Sequence, residues 1–285
     1  MPMSSSVDAA PSEAPGLLPL LDVLDLEPVE LDIYRSRRAG EPGFRLFGGE
    51  VCAQALVAAE RTTAPECRPH SLHAYFLRPG DTGVKVVFRV DRLQEGRTFR
   101  RRRVTAIQHG EPILCLEASF TTDRSGTDHQ VSAPEAPAPE DCEPFLWRFP
   151  AGWPLQPGDV FDVRPATTET RAHRRLLEDL WFRPLGEDTE GRVSPAAVLT
   201  YFSDLTFVSA LLRPTGRTDV DHMTSLDHVL WFHNEVRLDD WLYFTKNSPA
   251  VGTLRGLAEG RIFHRDGTII ATVAQEGLIH AKRES

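Results

Sequence analysis

The stretch Ser194 to Leu212, SPAAVLTYFSDLTFVSALL, constrains the fold more than any other part of the chain. Ser194 is a favoured N-cap, Pro195 suits the first helical position and Arg213-Pro214 supplies a stop, so the spacing predicts one helix over 194–212. Apolar residues fall on every side of it (Ala197, Val198, Leu199, Tyr201, Phe202, Leu205, Phe207, Val208, Leu211, Leu212) and leave no broad polar face. Such a helix has to be surrounded by other elements. Asp204 interrupts the apolar run at its centre. A carboxylate there is costly unless it is hydrogen-bonded, paired or used chemically, which makes it the first candidate for function.

Composition narrows the possibilities. With 285 residues, 41% hydrophobic and 26% charged, the chain can bury one large core or two smaller ones. A net charge of -9 argues against a nucleic-acid partner, because phosphate binding needs a basic face. The four cysteines, Cys52, Cys67, Cys115 and Cys142, are scattered without a CxxC pair and read as reduced thiols. The ten histidines lie in no ligand spacing, so no metal is expected. No stretch reads as a signal peptide or as a membrane span, so we expect a cytoplasmic protein without membrane insertion.

Taken in order, residues 1–16 are Ser-, Ala- and Pro-rich and read as a disordered tail. A first unit covers 17–122: a short helix and edge strand, the small-residue helix GGEVCAQALVAAERTT from Gly48, then strands within 70–81, 84–96, 98–110 and 111–122. Residues 123–165 are Pro-rich and read as a connector, with Trp147, Phe149 and Trp153 expected to pack it against the body. A second unit covers 166–285, with strand pieces before the 194–212 helix and strands within 223–233, 239–251, 253–267 and 268–280 after it.

The two units repeat one pattern. FGGEVCAQALVAA matches YFSDLTFVSALL, placing Glu50 opposite Asp204 (204 − 50 = 154). HSLHAYFLRP matches TSLDHVLWFH, with Ser71 opposite Ser225 at the same offset, and Ser119 falls opposite Gln275 (275 − 119 = 156). A helix followed by an antiparallel meander, given twice, predicts an α+β double hotdog: two helix-wrapped antiparallel sheets from an internal repeat.

The motifs FGGEVCAQAL, HSLHAYFLRPGD, RRRVTAIQHG, SDLTF, SLDHVLWFH and VAQEG together resemble the acyl-CoA thioesterase II family, the double-hotdog acyl-CoA hydrolases of bacteria and peroxisomes. The resemblance runs from about Leu26 to Ile279 and diverges in the connector. It implies hydrolysis of fatty acyl-CoA by a water nucleophile, without cofactor, metal or covalent intermediate. The family's Asp, Ser or Thr, and Gln fall on Asp204, Ser225 and Gln275, as base and water orienters. Homo-oligomers, dimer or tetramer, are also implied.

Other residues carry weaker expectations. Gly48 and Gly49 mark a helix start whose N–H groups suit an oxyanion. Glu50 is a candidate second acid in a first repeat that has decayed into a structural and substrate-channel half. The run Arg100 to Arg103 reads as alternating solvent-facing charges, with Arg101 and Arg103 candidates for CoA phosphates. Strand alternation from Ser225 puts Asp227 on its face and His228 on the other, so a proton relay through His228 is not expected. Two alternatives stay open: a hotdog hydratase or dehydratase, for which no Asp-His pair is expected near Glu50 or Asp204, and a non-catalytic acyl-CoA-binding protein.

Overall fold

A computed structural model describes residues 16–122, 128–145, 155–167, 179–216 and 220–281. The expected tail and Trp147, Phe149 and Trp153 lie outside the described residues, Gly16 excepted. In chain order the elements are helix α1 (Leu18–Leu24), strands β1 (Leu26–Glu30) and β2 (Ile33–Ser36), helix α2 (Gly48–Glu60), and strands β3 (Arg68–Phe76), β4 (Val87–Glu95), β5 (Phe99–Gln108) and β6 (Glu111–Thr121). Then come the short α3 (Pro157–Val160), strands β7 (Phe161–Pro165) and β8 (Leu180–Pro184), helix α4 (Pro195–Asp204), and strands β9 (Val220–Ser225), β10 (Asp227–Phe232), β11 (Leu242–Gly252), β12 (Arg255–His264) and β13 (Ile269–Ala281). Phe161–Pro165, inside the stretch read as connector, is thus already an edge strand.

All the strands belong to one antiparallel sheet, in the order β1-β2-β4-β5-β6-β3-β10-β13-β12-β11-β8-β7, with β9 added against β13. The order is a palindrome: each strand of the first half has a counterpart at the mirrored position in the second. The two halves meet where β3 pairs with β10, from Asp227↔Tyr75 to Trp231↔Ser71. What the repeat predicts as two sheets is therefore one continuous sheet with a pseudo-two-fold axis at its centre.

The sheet encloses α2 and α4, which lie side by side and antiparallel. A methyl group at Gly48 would meet the Asp204 carboxylate at 2.8 Å, and one at Gly49 would meet the Tyr201 carbonyl at 2.6 Å. At the other end of the pair, the Ser194 hydroxyl donates to Glu60 at 2.8 Å. Glycine is needed at both positions for space, since the helices could not approach this closely over side chains. Every residue from Val51 to Ala59 and from Ala196 to Asp204 is buried, as the all-round apolar pattern requires. Pro195–Leu212 has the length and composition of a membrane span, yet 78% of it is buried inside the protein, so its apolar surface is spent on the core.

The expected single helix 194–212 is two pieces. Its start is as predicted: Ser194 caps it, accepting the Ala197 N–H at 3.1 Å. It ends at Asp204, Thr206 leaves helical geometry, and Phe207–Leu212 continue as a 3₁₀ turn. Tertiary contacts override the local pattern. Lys246 Nζ from β11 donates to Thr206 Oγ1 at 3.2 Å, and the 3₁₀ turn lies on a floor of Gly256, Gly260 and Gly277, where added Cβ atoms would strike Leu211, Phe207 and Val208. Asp204 consequently sits at a helix end, not mid-helix.

This break also shifts the repeat. Aligned by their N-caps, Phe47 and Ser194, the helices are offset by 194 − 47 = 147, whereas strand Phe76 and Phe232 are offset by 232 − 76 = 156. The nine-residue difference is the longer passage through Phe207–Leu212. On this alignment Asp204 corresponds to Val57 and Glu50 to Ala197, so Glu50 is not the structural counterpart of Asp204.

The arginine run alternates along β5 as expected. Arg101 and Arg103 are exposed, but Arg102 is fully buried. Its guanidinium donates to Thr62 Oγ1 (2.7 Å), Thr62 O (2.9 Å), Gln94 O (3.2 Å), Arg101 O (3.0 Å) and the Glu95 carboxylate. Arg has enough donors in a fixed fork to satisfy all of these at once. Replacing Arg102 with leucine orphans several buried carbonyls and is expected to lower the unfolding free energy by about 2–4 kcal/mol in urea melts, whereas Arg101→Ala changes it by less than about 0.5 kcal/mol.

Candidate active site

Three elements meet at the C-terminal end of α4. Asp204 is its last residue, Ser225 is the last of β9, and Gln275 lies mid-way along β13. The Gln275 amide Nε2 donates to Asp204 Oδ1 at 2.9 Å and to Ser225 Oγ at 2.5 Å. Asp204 is 6% and Gln275 1% exposed, so the carboxylate is held by the amide away from bulk water. Its other oxygen, Oδ2, faces Gly48 at the start of α2 and the Phe76 ring beside it. The first N–H groups of a helix have no intrahelical partner and carry its positive dipole end, so Gly48, Gly49 and Glu50 direct free donors and positive potential toward this corner.

His228 belongs to the same cluster, contrary to strand alternation. Ser225 pairs with Gly277 but Val229 pairs with Ala274, so four steps on one strand (229 − 225) oppose three on the other (277 − 274). That is a β-bulge centred on Leu226, and one extra residue exchanges the faces that follow it. Its backbone groups are satisfied: Leu226 N donates to Glu276 O at 2.9 Å, Phe76 N donates to Leu226 O at 3.0 Å, and Asp227 Oδ1 accepts the Glu276 N–H at 2.6 Å. Asp227 Oδ2 lies 3.3 Å from His73 Nε2, so Asp227 braces the bulge and the β3–β10 seam. The fully buried His228 is turned to the helix side, with Nδ1 at 2.9 Å from Gln275 Oε1, Nε2 at 2.8 Å from Ser203 Oγ, and Asp204 Oδ1 at 4.0 Å. Burial pushes its imidazole below the usual histidine range, against the opposing pull of the Asp204 charge. An Asp-His proximity therefore exists, but both ring nitrogens are occupied by other partners.

The remaining candidates are spread out. Burial, reinforced by the Glu50 and Asp204 carboxylates, pushes the Tyr201 phenol up, and burial with the Asp204 charge does the same to the Cys52 thiol. Glu50 forms no hydrogen bond among the described residues. It lines a cavity of about 180 Å³ with Val23, Ser36, Leu46, Gln54 and Thr82, and burial raises it to about 7. Ser71 and Ser119 face each other across β3 and β6, where His70 Nε2 takes Ser119 Oγ at 2.7 Å. Arg103 is engaged by Glu117 on the exposed face. At the pseudo-two-fold counterpart of the Asp204 corner, a cleft lined by Glu60, Ser194, Pro195 and Phe232 has no Asp-Ser-Gln set, since Val57 stands in the Asp204 position. Among the described residues no group of three or more His, Cys, Asp and Glu converges to hold a metal.

One wrapped helix pair, one continuous antiparallel sheet and one buried carboxylate at the seam define a double-hotdog protein. The architecture is shared with a solved hot dog fold protein of unknown function from Alicyclobacillus acidocaldarius (TM-score 0.75, 20% identity, 92% of this chain and 98% of that one). More specific matches follow. The family description "Acyl-CoA thioesterase" matches residues 155–278, and "Acyl-CoA thioesterase N-terminal domain" matches 36–122. The Homo sapiens acyl-coenzyme A thioesterase 8 is 37% identical over 91% of this chain and 88% of its own length. The Haemophilus influenzae acyl-CoA thioesterase 2 is 36% identical over 91% and 96%. The solved tesB protein of Mycobacterium avium subs paratuberculosis superposes with TM-score 0.78 at 34% identity, over 93% of this chain and 99% of that one. The chain belongs to the acyl-CoA thioesterase family.

The raised carboxyls make stability depend on pH. Glu50 holds its proton more tightly folded (about 7) than at its ordinary value of 4.5, so its contribution is full below about 4.5 and is lost as pH rises through about 7. Glu60, also raised to about 7, acts in the same direction. Glu50→Gln is expected to unfold at higher denaturant than the parent at pH 8, by about 1–3 kcal/mol allowing for its contact with the cavity, and to lose that advantage at pH 5.

Proposed function

We propose that the chain hydrolyses fatty acyl-CoA thioesters to the free acid and CoA, with Asp204 as general base on a water. The observation that carries this reading is the asymmetric setting of the Asp204 carboxylate: Oδ1 is tied to Gln275, while Oδ2 faces the start of α2. A water between Oδ2 and a thioester carbonyl would be held by Ser225 Oγ and the carboxylate, with the carbonyl oxygen toward the Gly48 and Gly49 N–H groups. Asp204 takes one proton as the water oxygen attacks the carbonyl carbon. The tetrahedral oxyanion is stabilised by the helix-start donors. Collapse breaks the C–S bond, and the proton on Asp204 passes to the departing thiolate. A thioester carbonyl is electrophilic enough for this without covalent catalysis, provided that the water is oriented.

The names of the relatives support the substrate class, since each is called an acyl-CoA thioesterase. Residues 166–285 would supply Asp204, Ser225 and Gln275, and residues 17–122 the helix start and channel wall, with Arg101 and Arg103 meeting CoA phosphates. A cytoplasmic homo-oligomer is the setting we infer. The hydratase or dehydratase alternative loses ground because the His228 nitrogens face Gln275 and Ser203, leaving neither turned to a substrate.

Release of free thiol from acyl-CoAs tests the assignment. Asp204→Asn is expected to lower kcat by about 10²–10⁴-fold with the fold intact, and full turnover by that variant would sink the assignment. Gly48→Ala puts a methyl group 2.8 Å from the carboxylate and is expected to lower kcat by at least about tenfold, for misplacement alone.

A further inference from the structure

We propose that His228 is a positioning residue that fixes which way the Gln275 amide points, and through it the alignment of Asp204 and Ser225. The inference rests on the thioesterase reading for its activity readout, but its geometry stands apart from it.

The two ends of the Gln275 amide meet different partners. Nε2 meets the Asp204 carboxylate and the Ser225 hydroxyl, and Oε1 meets His228 Nδ1. A carboxylate only accepts, so the amide end facing Asp204 has to be the donor. Oε1 also only accepts, so His228 Nδ1 has to carry a proton. Near neutral pH the imidazole is uncharged, because burial lowers its proton affinity more than Asp204 and the adjacent Asp227 restore it. Its proton is then on Nδ1, and Nε2 is a bare acceptor that receives the Ser203 hydroxyl. Every hydrogen bond thus runs one way: Ser203 O–H to Nε2, Nδ1–H to Oε1, amide N–H to Asp204 Oδ1.

The opposite arrangement is self-contradictory. If Nε2 carried the proton, Ser203 would accept from it and donate to the Thr200 carbonyl, 2.9 Å away, as it is placed to do. Nδ1 would then be an acceptor and would call for a flipped amide. That flip sets Oε1 against the Asp204 carboxylate at 2.9 Å, acceptor against acceptor, and removes the donor from Ser225. The imidazole tautomer and the amide orientation are therefore one choice, and the bulge at Leu226 makes it possible by turning His228 inward. Phe207, edge-on at 6.3 Å, closes the remaining side of the ring.

Nitrogen-15 NMR of the histidine-labelled parent protein, with the His228 signal assigned by its loss in His228→Asn, tests the tautomer directly. A neutral ring protonated at Nδ1 is expected near neutral pH. An Nε2-protonated ring or an imidazolium there would overturn the proposal. Kinetics test the consequence. His228→Phe is expected to lower kcat about tenfold or more with KM within about twofold, and in a Gln275→Ala background the same change should alter kcat by less than about twofold, because the two residues act as one unit. Equal losses in both backgrounds would overturn it. His228→Asn places an amide donor near the Nδ1 position and should recover most of the loss, whereas His228→Gln places it near Nε2 and should not; equal activity of these two would also overturn the proposal. Loss of turnover in Asp204→Asn together with additive His228 effects would remove the positioning role and leave the thioesterase reading in place, while full turnover in Asp204→Asn would remove that reading and leave the NMR result to decide the tautomer.

Discussion

The antiparallel contact of α2 and α4 is the constraint on which the rest depends. Gly49 lies against the Tyr201 carbonyl, and Gly48 against the Asp204 carboxylate, at separations that leave no room for side chains. Two buried helices this close have no polar face to offer water, so the sheet has to enclose both, and it does so by running unbroken through the β3–β10 pair. The same contact brings the start of one helix to the end of the other. Positive partial charge and helix-start N–H groups thereby meet a buried carboxylate that no Lys or Arg side chain pairs with among the described residues.

The polar cluster at that corner is built so that few groups are unpaired. Asp204, Gln275, Ser225, His228 and Ser203 come from α4, β9, β10 and β13, and all are linked by hydrogen bonds of 2.5 to 2.9 Å. In a low-dielectric interior a satisfied network is rigid, while one missing partner is expensive. This explains why an amide stands in an apolar strand and a histidine at zero exposure: each is required by its neighbour.

Much of this was legible in the amino-acid order. The all-round apolar character of 194–212 announced a wrapped helix, Asp204 stood out as a lone charge, and the repeat announced two matching helix-and-meander units. Ser225 and Gln275 stand out only through the family resemblance, since a hydroxyl and an amide in strands are ordinary by themselves. What could not be read depends on tertiary context. Phe207–Leu212 keep a helical apolar pattern although a glycine floor and Lys246 turn them into a 3₁₀ segment, and this drew Glu50 into alignment with Asp204. A bulge leaves no periodic mark, so strand alternation alone points His228 to the wrong face. Arg102 sits in a run of four arginines, and the polar groups of Thr62, Gln94 and Glu95 that receive its buried guanidinium come from other segments of the chain.

The antiparallel helix pair has a consequence for how such a chain can change over generations. Because the carboxylate of the second unit faces the helix start of the first, the Asp204 corner is divided between the halves, and neither half alone holds it. At the mirrored corner, a valine occupies the carboxylate position and Pro195, which lacks an N–H, occupies the glycine position. Joining two such units in one chain lets the two symmetric corners carry different residues while holding both halves permanently at each.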